Sequence, residues 1–352
     1  MDADIGKELQ ERVREAFARR APLQISGGGS KNFYGRAPSG APLQVGAHRG
    51  VIHYLPTELV ITARAGTPLT EIETLLAEHR QMLPFEPPHF GPNATLGGAV
   101  ACGLSGPRRP YSGALRDFVL GVKIINGKGD ILRFGGQVMK NVAGFDVARL
   151  MAGALGTLGV LLEVSLKVLP RPEQEITLRR PDTAEQALRR MNAWAGQPLP
   201  LSAACFDGAH LYVRLSGTEG GLRAAREAIG GDPVPDGASF WEKLREQELR
   251  FFSDAARLWR LSLPPAAPPL HLPGEWFIDW GGAQRWLKNP LPAEVIRATA
   301  ARLGGHATLF RDGERLQVFH PLPPALLALH RRLKLAFDPH GILNPGRMYA
   351  DF

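Results

Sequence analysis

The sequence predicts an α+β fold in two parts, and three observations carry that expectation. Apolar residues recur at helical spacing in some segments, as at Ile5, Leu9, Val13 and Phe17, and alternate at strand spacing in others, as at Val160, Leu162, Val164, Leu166 and Val168. Forty glycines and thirty prolines make up about a fifth of the 352 residues; with 44% hydrophobic and 22% charged residues, this describes a folded, turn-rich chain. Pro170 and Pro172 end the best strand and separate two stretches of different character.

Taken in order, residues 1–20 read as an amphipathic helix and 23–26 as a short strand running into Gly27-Gly28-Gly29-Ser30-Lys31-Asn32. Strand-like runs follow at 43–46, 50–54 and 58–64. Thr67-Pro68 opens a helix whose buried face is Leu69, Ile72, Leu75 and Leu76. Residues 84–113 are rich in glycine and proline, a loop length usually kept for function. A hairpin is expected over 118–134 around Asn126-Gly127, and a short helix near 147–154 leads through Gly156 and Gly159 into the strand from Val160. The second part reads as β-α-β-β-α over 175–229 and a proline-rich connection at 263–274. A stretch at 275–280, a helix at 292–303 and a hairpin of strands 306–311 and 315–320 around Asp312-Gly313 follow. The last helix spans 324–337 and stops before Asp338-Pro339. No internal repeat is evident.

Charge and cysteine content exclude several classes. The net charge of +8 invites a nucleic-acid partner, but 33 arginines and nine lysines are dispersed along the chain instead of forming a stripe. No stretch approaches 18 uncharged apolar residues, and the first helix has no apolar signal-peptide core, so the expected location is cytoplasmic. Cys102 and Cys205 are too few for a four-cysteine iron–sulfur cluster or zinc site. Redox chemistry here needs an organic cofactor or a partner's metal.

Three runs carry the chemistry. Consecutive small residues at 27–29 leave backbone N–H groups free to converge on an anion, with Lys31 adding charge and Ser30 and Asn32 adding hydrogen bonds. Neither a Rossmann fingerprint nor a P-loop fits, because turn-formers and not a helix follow the glycines. The run Thr95-Leu96-Gly97-Gly98-Ala99-Val100-Ala101-Cys102-Gly103-Leu104-Ser105-Gly106 has the small side chains of a wall that lets a planar cofactor touch main chain. Arg108, Arg109 and Arg116 follow it as candidate cations for phosphate or carboxylate. The run Gly153–Gly159 is a tight helix-to-strand crossing, the reverse of a dinucleotide-binding unit.

These runs, with Lys140-Asn141-Val142-Ala143-Gly144-Phe145-Asp146 and the closing stretch Asp338–Gly346, occur in an order that resembles the FAD-binding domain of the vanillyl-alcohol-oxidase (PCMH) type. Within that superfamily, 96–170 and the ending are similar to the FAD-binding subunit of glycolate oxidase. The resemblance implies a two-subdomain FAD-binding domain over 1–171, a smaller ferredoxin-like α+β cap over 172–322, and a helix and tail over 323–352 that return to the first domain. It also implies FAD contacts from Gly27, Gly28, Gly29, Ser30, Lys31, Asn32, Pro87, Thr95, Leu96, Gly97, Gly98, Ala101, Cys102, Gly103, Ser105, Gly106, Arg108, Gly156, Gly159, Val160 and Asn344.

Several relatives tether the flavin through a histidine in the first glycine loop. This loop has none, so FAD is expected to bind non-covalently, with Cys102 a small buried thiol. The histidine-rich motif His-x-x-x-Gly-Asp-Gly-Asn of hydroxy-acid-oxidising relatives is missing too, and His89 is the best available base. The resemblance therefore implies glycolate oxidation to glyoxylate within a complex, with a larger FAD-containing catalytic subunit, an iron–sulfur subunit and at most peripheral membrane association. A self-sufficient dehydrogenase of a small hydroxy acid or alditol, and a structural subunit with a vestigial FAD site, are the alternatives. A carboxylate introduced by Gly28→Asp is expected to oppose the pyrophosphate.

Overall fold

The computed structural model describes residues 2–136, 146–253, 257–311 and 314–352. Most of the run Lys140–Asp146 and the expected turn at Asp312-Gly313 therefore lie outside the described residues. The chain divides into two compact units: Met1–Leu104 with Ala114–Pro170 and Pro321–Phe352, and Ser105–Gly113 with Arg171–His320.

The first unit is built on a five-stranded antiparallel sheet. Its strands lie in the order Val51–Leu55, Val60–Arg64, Val160–Lys167, Val119–Ile125 and Ile131–Gly135. The alternation read at 160–168 predicts one apolar face, whereas the strand is covered on both: Leu161 and Ser165 are buried along with Val160, Leu162, Val164 and Leu166. A strand in the middle of a sheet packed on both faces has little call for polar residues. Its polar Glu163 and Ser165 are both partnered: Glu163 accepts from Lys123 Nζ at 2.8 Å, and the Ser165 hydroxyl bonds with that of Thr62 at 2.8 Å.

The first helix, Gly6–Arg19, sinks Leu9, Val13 and Ala16 into this core, and Leu69–Glu78 adds Leu69, Ile72 and Leu76. A separate parallel pair, Leu23–Ser26 with Ala41–Gln44, is widened by the C-terminal tail. Leu23 N–H donates to Ile342 O at 2.7 Å, and Asn344 N–H returns to Leu23 O at 3.0 Å.

The helix Leu96–Cys102 is absent from the sequence reading because Gly97 and Gly98 are poor helix formers. Contacts distant in sequence override that preference. Thr95 Oγ1 accepts from Gly98 N–H at 3.2 Å, while Leu96 and Gly97 N–H donate to Thr67 O and Ala65 O at 2.9 and 2.7 Å.

The second unit holds one eight-stranded antiparallel sheet, and its topology reveals a duplication. Gln174–Pro181, helix Ala184–Ala195, Leu201–Phe206, His210–Gly217, helix Glu219–Ile229 and Asp232–Pro233 form a βαββαβ arrangement. Its fourth, first, third and second strands lie side by side, the ferredoxin-like order. Leu258–Ser262, Glu275–Asp279, Gln284–Lys288, helix Ala293–Arg302 and His306–Arg311 repeat that strand order, and Phe206 pairs with Ile278 to join the halves. The repeat leaves no trace in sequence spacing because the proline-rich segment 263–274 stands where the first half has its first helix.

Two strands of the second half, Leu258–Ser262 and Gln284–Lys288, escape the sequence reading, and the expected strand at 315–320 is not formed. His306–Arg311 pairs with Leu258–Ser262, and across the expected hairpin Leu309 N–H donates to Val318 O at 2.8 Å and Ala307 N–H to His320 Nδ1 at 3.4 Å.

Arg285 fixes the proline-rich segment. Its guanidinium, in a residue only 1% exposed, donates to Gly282 O at 3.2 Å, to Pro268 O at 2.6 Å and to Ala267 O. Burial pushes its pKa down to about 10, so it remains a cation at neutral pH. Arg285→Met should strand three carbonyls and cost about 3 kcal/mol, read as a lower urea midpoint.

Candidate functional site

The site grows from three chain segments of the first unit. The strand Leu23–Ser26 ends in the glycine loop, where Gly29 takes a positive φ of 75° and Asn32 N–H closes a turn onto Gly29 O at 3.0 Å. Among the described residues, nothing accepts from the backbone N–H groups of Gly28, Gly29 or Ser30. Such groups facing a cavity form an anion-binding surface.

Gly27 and Gly28 lie against the loop before Leu96. A Cβ on Gly28 would sit 1.4 Å from Asn93 O, and one on Gly27 would sit 2.4 Å from Thr95 Oγ1. The side chain of an aspartate at Gly28 would therefore start inside the Asn93 carbonyl. That corrects the expected effect of Gly28→Asp: it would rebuild the loop before any carboxylate reached a ligand.

The second segment is the helix Leu96–Cys102, and the third is the crossing at Leu155–Gly159. Gly153 N–H donates to Val100 O at 2.9 Å and Leu155 N–H to Ala101 O at 2.8 Å, docking the crossing on the helix. Together with the tail they enclose a cavity of about 740 Å³, counting the solvent at its mouth. Of the residues predicted to bind, Gly27, Gly28, Gly29, Ser30, Lys31, Asn32, Thr95, Gly97, Gly98, Ala101, Cys102, Gly156, Gly159 and Asn344 line it.

The remainder do not line this cavity, for identifiable reasons. Leu96 and Val160 turn into the hydrophobic core, and Pro87 is buried away from the cavity. Gly103 takes a φ of 63°, and its missing Cβ makes room for Gly153. Ser105, Gly106 and Arg108 belong to the second unit, where Gly106 O accepts from Trp280 Nε1 at 3.0 Å. There Arg108 pairs with Glu175. Burial alone would raise the Glu175 pKa, but Arg214 and Arg108 beside it hold it below the usual carboxylate value. Arg109 lies over the Trp280 ring at 4.4 Å.

The sequence reading missed Ile25, Ser26, Val45, Ala65, Leu155, Leu161 and Arg347 in the lining. Arg347 is the important one. It is 6% exposed, and it donates from Nη2 to Asn32 O at 3.2 Å and from Nη1 to Arg36 O. Its place directly after Gly346, at the end of the recognised closing stretch, was the available signal. Lys31, also 6% exposed, donates to His89 O at 3.1 Å and faces Ser30 Oγ at 3.4 Å. Two buried cations thus reach one glycine-walled cavity.

Cys102, expected to be a buried thiol, is only half-buried and lines the cavity; desolvation raises its pKa, and Lys31 and Arg347 pull the other way less strongly. His89, the base suggested by the sequence, does not line the cavity. Its ring meets Glu73 at 3.2 Å, and its carbonyl anchors Lys31. No group of three or more His, Cys, Asp or Glu residues positioned to hold a metal occurs among the described residues.

Unpaired N–H groups, two buried cations and walls of glycine and alanine suit a long, flat, doubly anionic cofactor. The chain carries an FAD-binding domain. Residues 6–135 match the family model described as FAD binding domain, and residues 320–348 match that of FAD linked oxidases, C-terminal domain. The fold is shared with p-cresol methylhydroxylase with substrate bound (TM-score 0.72, 16% identity, 100% of this chain and 88% of that one).

The chain is 53% identical over 350 residues to glycolate oxidase subunit GlcE of Escherichia coli (strain K12), covering 99% of each. It is 41% identical over 85 residues to glycolate oxidase subunit GlcD of Bacillus subtilis (strain 168), covering 24% of this chain and 18% of that one. This chain belongs to the family of glycolate oxidase subunit GlcE.

Proposed function

We propose that this chain is the FAD-binding subunit of a multi-subunit glycolate oxidase, an FAD-dependent 2-hydroxy-acid dehydrogenase that is active in complex. The observation that carries the reading is the convergence of Lys31 and Arg347 on the cavity walled by Gly27–Ser30, Gly97, Gly98, Gly156 and Gly159. Bound there, FAD supplies the redox centre that takes up the electrons removed from the hydroxy acid. The chain's own residues bind and orient it non-covalently. Gly27–Asn32 and Lys31 hold the anionic part, Arg347 adds the second charge, and the small residues bring backbone to the flat part.

The described lining contains neither a histidine nor a carboxylate, its titratable side chains being Lys31, Cys102 and Arg347. A base for the substrate hydroxyl proton is therefore assigned to a partner, the larger flavin subunit. Two cysteines cannot hold a cluster, which supports an iron–sulfur subunit as the onward electron carrier. No helix among the described residues is long and apolar enough to cross a membrane, so any membrane contact is assigned to the complex.

The test is to purify the chain alone and with its partners. Alone it should be yellow, release FAD on acid denaturation and keep its colour under anaerobic glycolate; the complex should be bleached. Bleaching of the isolated protein would favour a self-sufficient dehydrogenase. A colourless protein that cannot be reconstituted would favour a vestigial site.

A further inference from the structure

We propose that the buried Lys334–Asp338 pair is a latch that positions Asn344 and Arg347 at the cavity, so that docking of the C-terminal tail and FAD binding form one coupled equilibrium. This rests on the FAD reading above and adds two positioning residues that lie outside the cavity lining.

Lys334 sits in the last turn of the helix Pro324–Phe337 and is 4% exposed. Its ammonium has three donors, and all are used: Thr157 O at 2.8 Å, Asp338 Oδ2 at 2.6 Å and Leu343 O at 2.7 Å. Asp338 is fully buried and accepts from Ile342 N–H at 3.0 Å and Leu343 N–H at 2.7 Å. One ion pair thus ties the helix end, the crossing segment and the tail together. An apolar pair of similar volume would stabilise as well, but it could not hold three separate backbones in register. Burial works against the charge on Lys334, and Asp338 opposes that effect.

Immediately beyond the latch the tail becomes cavity wall. Asn344, at a positive φ of 41°, accepts from Ile25 N–H at 2.7 Å and donates from Nδ2 to Leu155 O at 2.7 Å. The missing side chain of Gly156 makes room for it: a Cβ there would lie 2.8 Å from Asn344 Nδ2. Three residues further on, Arg347 bonds to Asn32 O. The tail therefore braces both the glycine loop and the crossing, and it cannot leave without opening the cavity.

The experiment uses the full chain and its Asp338→Asn, Lys334→Met and Lys334→Arg variants. Arg331→Ala, which removes only the exposed Arg331–Asp351 pair, is the control. FAD affinity is measured by flavin fluorescence, the melting midpoint is measured without FAD, and amide exchange over residues 338–347 is followed with and without FAD. In the parent, FAD should slow tail exchange at least tenfold. Asp338→Asn and Lys334→Met should weaken FAD binding at least tenfold and lose that protection. Lys334→Arg should recover affinity to within threefold, and Arg331→Ala should match the parent. Variants with a lowered midpoint but parental FAD affinity and protection would overturn the latch and leave the functional reading intact. A parent that takes up no FAD would instead overturn the functional reading, and the coupling with it.

Discussion

Gly28→Ala should lower FAD affinity roughly a hundredfold, equivalent to about 2.7 kcal/mol, although alanine carries no charge and little bulk. The cause is backbone. The added Cβ would fall 1.4 Å from Asn93 O and 2.5 Å from Asn93 C, so no side-chain rotation relieves the clash. The glycine loop must move off the 93–95 segment, and the N–H groups of Gly28, Gly29 and Ser30 lose their shared aim. Overpacking of this kind also costs about 1–3 kcal/mol of stability, so the melting midpoint should fall alongside affinity. Titrating the apoprotein with FAD, with a melting curve for each variant, checks both. Gly220→Ala is the control, because a Cβ there meets nothing within 4 Å. Unchanged FAD affinity in Gly28→Ala would remove the glycine loop from the site.

Neutralising the two cavity cations should have an effect of similar size through charge alone. Lys31→Met and Arg347→Met should each weaken FAD about tenfold, since a hydrogen bond to a charged group is worth roughly 1.5–3 kcal/mol. Both cations reach the same wall, so the double variant should lose about a hundredfold or more, with coupling measurable in the double-mutant cycle. Affinity of the parent should also be more salt-sensitive than that of the double variant. Arg347→Met removes the bonds to Asn32 O and Arg36 O as well, so its loss should exceed that of Arg347→Lys by the structural share. Parental affinity and salt dependence in the double variant would mean that the anion binds elsewhere.

The sequence was most legible where the determinants are local. The helix Pro324–Phe337, the hairpin strands on either side of Asn126-Gly127 and the β-α-β-β-α run follow from periodicity, turn chemistry and proline stops. The glycine loop, the small-residue run and the crossing, which the sequence singles out by their clusters of small residues, come together along one cavity. Elsewhere local signals misled. Gly97 and Gly98 argued against a helix that Thr95, Ala65 and Thr67 enforce, and Gly103 and Leu96 proved to serve packing. Arg108 carried the chemistry expected of a phosphate ligand, but its nearest anion is Glu175.

By itself the sequence determined the α+β class, the glycine-rich segments and the lack of cysteines for a cluster, all of which depend on residue type and short-range spacing. The tertiary structure alone decided which cations meet at the cavity, that His89 serves as an anchor for Lys31, and that the second unit repeats one topology. The physical reason is chain return: Arg347 bonds to Asn32 across 315 positions and Asn344 to Ile25 across 319. The packed core, the backbone bonds of Leu23 with Ile342 and Asn344 and of Arg36 with Arg347, and the Lys334–Asp338 pair hold those segments together, and no periodicity within either segment encodes the meeting.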